Sequence, residues 1–315
     1  MTAGSASQQA RRGGLVRQVR LVSHARDWRG RSRTPRSAEP WSQPIEEKEF
    51  PTAWARTSPA RLARSAIRRG VLQPIVRSQT KVEVHGAGLV ANITGPVIIV
   101  ANHSSHLDTP LILGALPPQL TRRTAVGAAA DYFFDARWRA SMTALVFGAF
   151  PIERLGKRRT RNIAPRLIAE GWSVLIFPEG TRSPDGWMRN FRLGAASLAV
   201  QNKIPVVPVA IRGAYAAMPR GRNWVRPGRP RVAVHIGRPI VPRAGETAPA
   251  VSNRLYDAVR TLWAEEELGW WGAQSAAGSG DLPVTTGPQG AAWRRVWGST
   301  RPLPSHRRGG TVWRR

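Results

Sequence analysis

Three short apolar runs constrain the fold more than any other feature of the chain: "VIIVA" at 97–101, "WSVLIF" at 172–177 and "IPVVPVAI" at 204–211. Strands that are apolar almost without interruption are what a sheet covered on both faces requires, and Gly95-Pro96 bounds the first of them as a turn would. Two alternating runs, "KVEVHG" from 81 and "RVAVHIG" over 231–237, and the short "AFPIER" ending in Arg154 add further strands. Helical patterns lie between them. They are predicted over 132–147, up to Glu170 with Gly171 as the residue past the helix end, and over 252–268. Strands alternating with helices predict a single α/β domain with a largely parallel, mixed central sheet flanked by helices.

The stretch "SPARLARSAIRRGVLQPIVRSQ" precedes the sheet and predicts an amphipathic helix starting at Ser58 and Pro59. Leu62, Ala66, Ile67 and Leu72 fall toward one side, with Arg61, Arg64, Arg68 and Arg69 around the other. Such a helix either lies on anionic lipid or packs against the sheet. The formal net charge is +29, with 48 Lys and Arg against 19 Asp and Glu. Both ends are basic and poor in apolar periodicity. Residues 1–57 and 273–315 are therefore expected to be disordered basic tails around a domain spanning 58–272, the latter tail carrying Trp293, Trp297 and Trp313 among arginines.

There is no cysteine, which excludes disulfides, thiolate nucleophiles and cysteine-ligated zinc. The start "MTAGSASQQARRGG" has no apolar stretch of signal-peptide length, and no window approaches 18 uninterrupted apolar residues. The expectation is a protein that lies on a membrane without crossing it.

"NHSSHLD" at 102–108 follows the first buried strand and sets His103 five positions before Asp108. Five residues rotate about 140° on an α-helix and reach opposite faces on a strand, so the two side chains meet only if the segment turns back on itself. The run "LDTPLILGAL" predicts a helix from Asp108. A carboxylate at its start stays ionised and can hold an imidazole in one tautomer. "FPEGTRS" at 177–183 leaves a second buried strand for a loop, and "FPIER" ends a third strand on Arg154, followed by Lys157, Arg158 and Arg159. Arg154 has the planar fork suited to a phosphate monoester. His85 and His235 lie in alternating strands and read as ordinary sheet residues. His106 reads as a loop or substrate contact.

Taken together, these strand ends resemble the glycerolipid acyltransferase family, whose best-known members are 1-acyl-sn-glycerol-3-phosphate acyltransferases. The first family block, NHxxxxD, is matched by Asn102, His103 and Asp108; "GAFPIER" gives the second with Arg154; "FPEGTRS" is the third, unchanged; "IPVVPVAI" is the fourth. "FRLGAA" stands where the family has KxGA, with Arg192 in the basic position. The resemblance covers residues from about 80 to about 240 and implies acyl transfer from acyl-CoA or acyl carrier protein to the free hydroxyl of lysophosphatidic acid. By the same resemblance His103 is the general base oriented by Asp108, and Asn102, Arg154, Glu179, Gly180, Thr181 and Arg182 bind substrate. It implies no metal and no resident cofactor. Ser104 and Ser105 lack the GxSxG setting of a serine nucleophile.

A diacyl product cannot leave into water, so attachment to an anionic membrane surface at its cytoplasmic face is expected. Other acceptors, such as glycerol 3-phosphate, another lysophospholipid or a lyso-ornithine lipid, share the same blocks. The basic composition also invites nucleic-acid binding, but no zinc-finger, helix-turn-helix or RNP pattern accompanies it, and no nucleic-acid partner is expected.

Overall fold

A computed structural model of the chain describes residues 51–129, 137–152 and 163–303. The seven strands are β1 (Lys81–His85), β2 (Ile98–Ala101), β3 (Thr124–Ala129), β4 (Phe150–Ile152), β5 (Ser173–Ile176), β6 (Val206–Arg212) and β7 (Arg231–Ile236), in the order β1-β7-β6-β2-β5-β3-β4. Every neighbouring pair is parallel except β6 with β7. The predicted α/β class with a largely parallel, mixed sheet is what the chain forms.

The most apolar runs occupy the middle. All four residues of β2 and the first six of β6 are buried, because helices cover both faces there. One layer of core contains Ile99, Leu111, Val207 and Val234, and the opposite layer Ile98, Val174, Leu198 and Leu255. Strand β3, "TAVGAA", was not expected; its small residues carry a weak β signal, and pairing between β5 and β4 makes it a strand. Gly127 leaves room there, since a Cβ would meet Ile152 of β4 at 2.2 Å.

The N-terminal helix is present, as α1 (Ser58–Ile67), a π-turn at Arg68–Leu72 and α2 (Gln73–Gln79), but its orientation overturns the expected division of faces. Leu62, Val71 and Ile75 are exposed, whereas Arg64 is 2% and Arg68 9% exposed. The cause is α5 (Arg137–Phe147), whose last carbonyls have no partner within their own helix. Arg64 Nε donates to Leu145 O at 2.8 Å and its Nη2 to Ala144 O at 3.2 Å and to Ala55 O. Arg68 Nε donates to Val146 O at 2.8 Å. Two guanidinium groups thus cap one helix end, where the helix dipole also favours positive charge.

The expected C-terminal tail is also corrected over 273–303. Helix α9 (Ala248–Ser279) continues eleven residues past the predicted end at 268, bending at Gly269 with φ +69°, and α10 (Ala292–Ser299) follows. Leu282 packs with Ala264 and Ala273, a contact without local periodicity to reveal it. At the other end, the expected tail is in part ordered, since a 3₁₀ turn occupies Ala53–Arg56. Residues 1–50 and 304–315, with Trp313, lie outside the described residues, as do 132–136 of the helix predicted over 132–147.

Replacing Arg64 by Met should cost about 3 kcal/mol in urea unfolding, because three carbonyls lose their donor in a buried setting. A loss below about 0.5 kcal/mol would mean that the caps contribute nothing.

Candidate active site

His103 leaves the C-terminal end of β2 and Asp108 opens α3 (Asp108–Ala115), so the turn between them closes as their spacing requires. His103 Nδ1 lies 2.8 Å from Asp108 Oδ2. The same carboxylate oxygen accepts the backbone N–H of Ser104 at 2.7 Å and of Ser105 at 2.8 Å. Asp108 is completely buried, and the His103 side chain is 19% exposed. This leaves His103 Nε2 as the nitrogen that can exchange a proton with a substrate. Ser105 is buried with its hydroxyl donating to Met218 O at 2.8 Å, which removes it as a nucleophile.

The loop after β5 grips this turn from the other side. His103 N–H donates to Glu179 Oε1 at 2.9 Å, and Ser183 N–H donates to His103 O at 2.8 Å, so both backbone groups of His103 are fixed by "FPEGTRS". Phe177 stacks on the imidazole, with centroids 4.0 Å apart and planes 16° from parallel. The ring is therefore held by a hydrogen bond at one edge and an aromatic face at its side. Burial pushes the Glu179 carboxyl up to about 8, aided by the Asp108 charge and opposed by the backbone N–H donors of His103 and Arg189.

Two expected substrate contacts have structural work instead. Asn102 is buried and continues the ladder between β2 and β6, its Nδ2 donating to Ile211 O at 3.0 Å and its Oδ1 accepting from Ile211 N–H at 2.7 Å. Glu179 underpins the turn between His103 and Asp108. Gly180, at φ +75°, completes the turn from Phe177, and a Cβ there would come within 2.7 Å of Arg192 Nε. Glycine is needed for both reasons, and the basic side chain of "FRLGAA" lies against the third block. Thr181 and Arg182 are half-buried in the same loop. Arg182 is close enough to His106 to contribute, after burial, to holding that imidazole down to about 4, so His106 is neutral near pH 7. Arg154, Lys157, Arg158 and Arg159 lie outside the described residues.

Helix α10 reaches this loop, which no pattern in the sequence indicated. Arg295 Nε donates to Asp185 Oδ2 at 2.6 Å, Trp187 Nε1 donates to Arg295 O at 2.8 Å, and Ser299 Oγ donates to Asp185 O. A chain cut at 272 would lose these contacts immediately after "FPEGTRS".

His235 is not an ordinary sheet residue. Buried on β7, it bonds Glu265 through Nδ1 at 3.0 Å and Glu266 through Nε2 at 2.9 Å, and Glu266 also pairs with Arg231. Burial disfavours the imidazolium, but the two carboxylates outweigh it and raise the pKa. His85 stacks on this ring at 4.6 Å, and His85, His235 and Glu266 are the one grouping of potential metal ligands among the described residues. A metal must lie in the plane of each ligating imidazole, which two stacked rings at this separation do not permit together. The group serves as a charged tie between β7 and α9.

A His–Asp pair with a fully buried carboxylate, at the strand ends of an open α/β sheet, is an arrangement suited to general-base chemistry. Residues 81–212 match the acyltransferase family model. A 1-acyl-sn-glycerol-3-phosphate acyltransferase of Chlamydomonas reinhardtii is 33% identical over 165 residues, 51% of this chain and 47% of that protein. A chloroplastic one from Brassica napus is 32% identical over 166 residues, covering 49% and 44%. The chain thus spans about half the length of these relatives. Among solved structures, the 1-acyl-sn-glycerophosphate acyltransferase PlsC of Thermotoga maritima matches with a TM-score of 0.51 and 27% identity over 65% of this chain and 83% of that one.

Glu179 gives a signed pH test. Its carboxyl pKa is raised in the folded state, so between the ordinary carboxylate value and about 8 the unfolded chain binds fewer protons and stability falls as pH rises. Glu179→Gln keeps an acceptor for His103 N–H and should flatten that fall in unfolding curves between pH 5 and 8. An unchanged slope would place the proton elsewhere.

Proposed function

We propose that the protein transfers a fatty acyl group from an acyl thioester, acyl-CoA or acyl carrier protein, to the free hydroxyl of lysophosphatidic acid, giving phosphatidic acid at the cytoplasmic face of a membrane. The observation that carries this reading is the 2.8 Å contact from His103 Nδ1 to a fully buried Asp108, within the span that matches the acyltransferase family model. The names of the relatives support lysophosphatidic acid as the acceptor over glycerol 3-phosphate or another lysolipid.

The acceptor hydroxyl gives its proton to His103 Nε2 as its oxygen attacks the thioester carbonyl, and Asp108 stabilises the imidazolium that forms. Collapse of the tetrahedral species breaks the C–S bond, and the proton leaves with the thiol. The protein forms no covalent acyl intermediate. Arg182, Thr181 and the backbone at Gly180 receive the acceptor's phosphate, with Arg154 as a further phosphate ligand by resemblance. Among the described residues no helix is long and apolar enough to cross a membrane. Attachment is therefore assigned to exposed apolar side chains, Leu62, Val71, Trp293 and Trp297 among them.

Incubation with labelled acyl-CoA or acyl carrier protein and a panel of lysolipids should yield phosphatidic acid fastest, and a faster product from another acceptor would displace this assignment. His103→Ala should lower kcat at least about a hundredfold with an unchanged unfolding curve, and Asp108→Asn nearly as much. Activity near wild type in a folded His103→Ala protein would end the mechanism.

A further inference from the structure

The arginines that cap α5 also border a cavity of about 320 Å³ between the N-terminal helix and the segment formed by α3 and α4 (Pro118–Arg122). Arg64, Arg68, Arg69, Arg77 and Arg122 line it, and no acidic residue does. Arg64 Nη1 and Arg68 Nη2 are buried and donate to no acceptor. Five guanidinium groups around a cavity lined by no acidic residue repel one another, and an anion between them would relieve that repulsion. Burial, followed by the neighbouring arginines, brings Arg64 down to about 10 and Arg68 down to about 9.

The cavity lies away from the chemistry. Strands β2, β5 and β3 are parallel, so Thr121 and Arg122, which precede β3, sit at the opposite end of the sheet from His103, which follows β2. Helix α3 connects the two ends, beginning at Asp108 and presenting Leu113 and Gly114 to the cavity.

We propose that this cavity is a phosphate-binding site separate from the acceptor pocket, with the buried arginines as its floor and Arg69, Arg77 and Arg122 as its rim. Gln73, Arg77 and Gly114 also border a neighbouring cavity of about 380 Å³, where Lys81 and Arg229 join Val76, Val82 and Leu111. Cationic side chains lining two adjoining cavities suit a phosphate group, and the headgroup of an anionic phospholipid and a free phosphate ion offer the same charge. The proposal does not depend on which acceptor the enzyme uses.

The test is thermal unfolding of the full chain at fixed ionic strength with inorganic phosphate, monomeric dihexanoyl phosphatidic acid, or dihexanoyl phosphatidylcholine as the uncharged-headgroup control. Arg69, Arg77 and Arg122 are exposed, so the triple variant to Gln retains the fold. Arg182→Gln separately weakens the acceptor pocket. Dihexanoyl phosphatidic acid should raise the Tm of wild type and of Arg182→Gln by about 3 °C, and that of the triple variant by less than about 1 °C. A tenfold higher requirement for inorganic phosphate would assign the site to a lipid headgroup, and an equal requirement to the free ion. Equal shifts in wild type and triple variant, a shift abolished by Arg182→Gln, or no shift in wild type would each overturn the proposal.

Discussion

One carboxylate oxygen organises the turn between His103 and Asp108. Asp108 Oδ2 accepts from two successive backbone N–H groups and from His103 Nδ1 while its side chain is removed from solvent. Three donors converge on Oδ2, while Oδ1 of the same carboxylate is buried without a partner among the described residues, so the hydrogen bonding of the side chain is concentrated on one oxygen. The turn in turn depends on the position of Asp108 at the start of a helix, and on the neighbouring loop that holds the backbone of His103 through Glu179 and Ser183. Ser105, Glu179 and Asn102 all bond to the backbone of this region, so polar side chains hold the turn as much as packing does.

The outer elements obey the same requirement to satisfy buried polar groups. Arg64 and Arg68 serve the end of α5, and Arg295 with Ser299 serves the loop at Asp185. Arginine reaches such distant acceptors because its planar group offers several donors on a long apolar stem. In a chain this basic, part of the positive charge therefore serves internal structure.

The central sheet was legible because β2, β5 and β6 are buried on both faces and their apolar runs have no other use. The His103–Asp108 contact was legible for a different reason, since only a closed turn joins residues at that spacing. Burial of the arginines was not, because the hydrophobic periodicity of 58–78 describes two faces without saying which neighbour needs donors. The role of α10 was hidden likewise: Arg295 and Asp185 are 110 positions apart, and nothing local to either marks the pair. Asn102 belongs to the family's motif, yet the motif does not reveal that its amide extends a β-ladder.

The central claim is direct attack by the acceptor hydroxyl with His103 as base. Intact-mass analysis of the full chain, quenched within one turnover after mixing with labelled acyl thioester, tests it most directly. With the acceptor omitted, the protein mass should be unchanged and no thiol should be released; with lysophosphatidic acid present, thiol and diacyl product should appear together while the protein stays unmodified. An acyl adduct on the protein, formed with a burst of thiol before acceptor is added, would contradict the account.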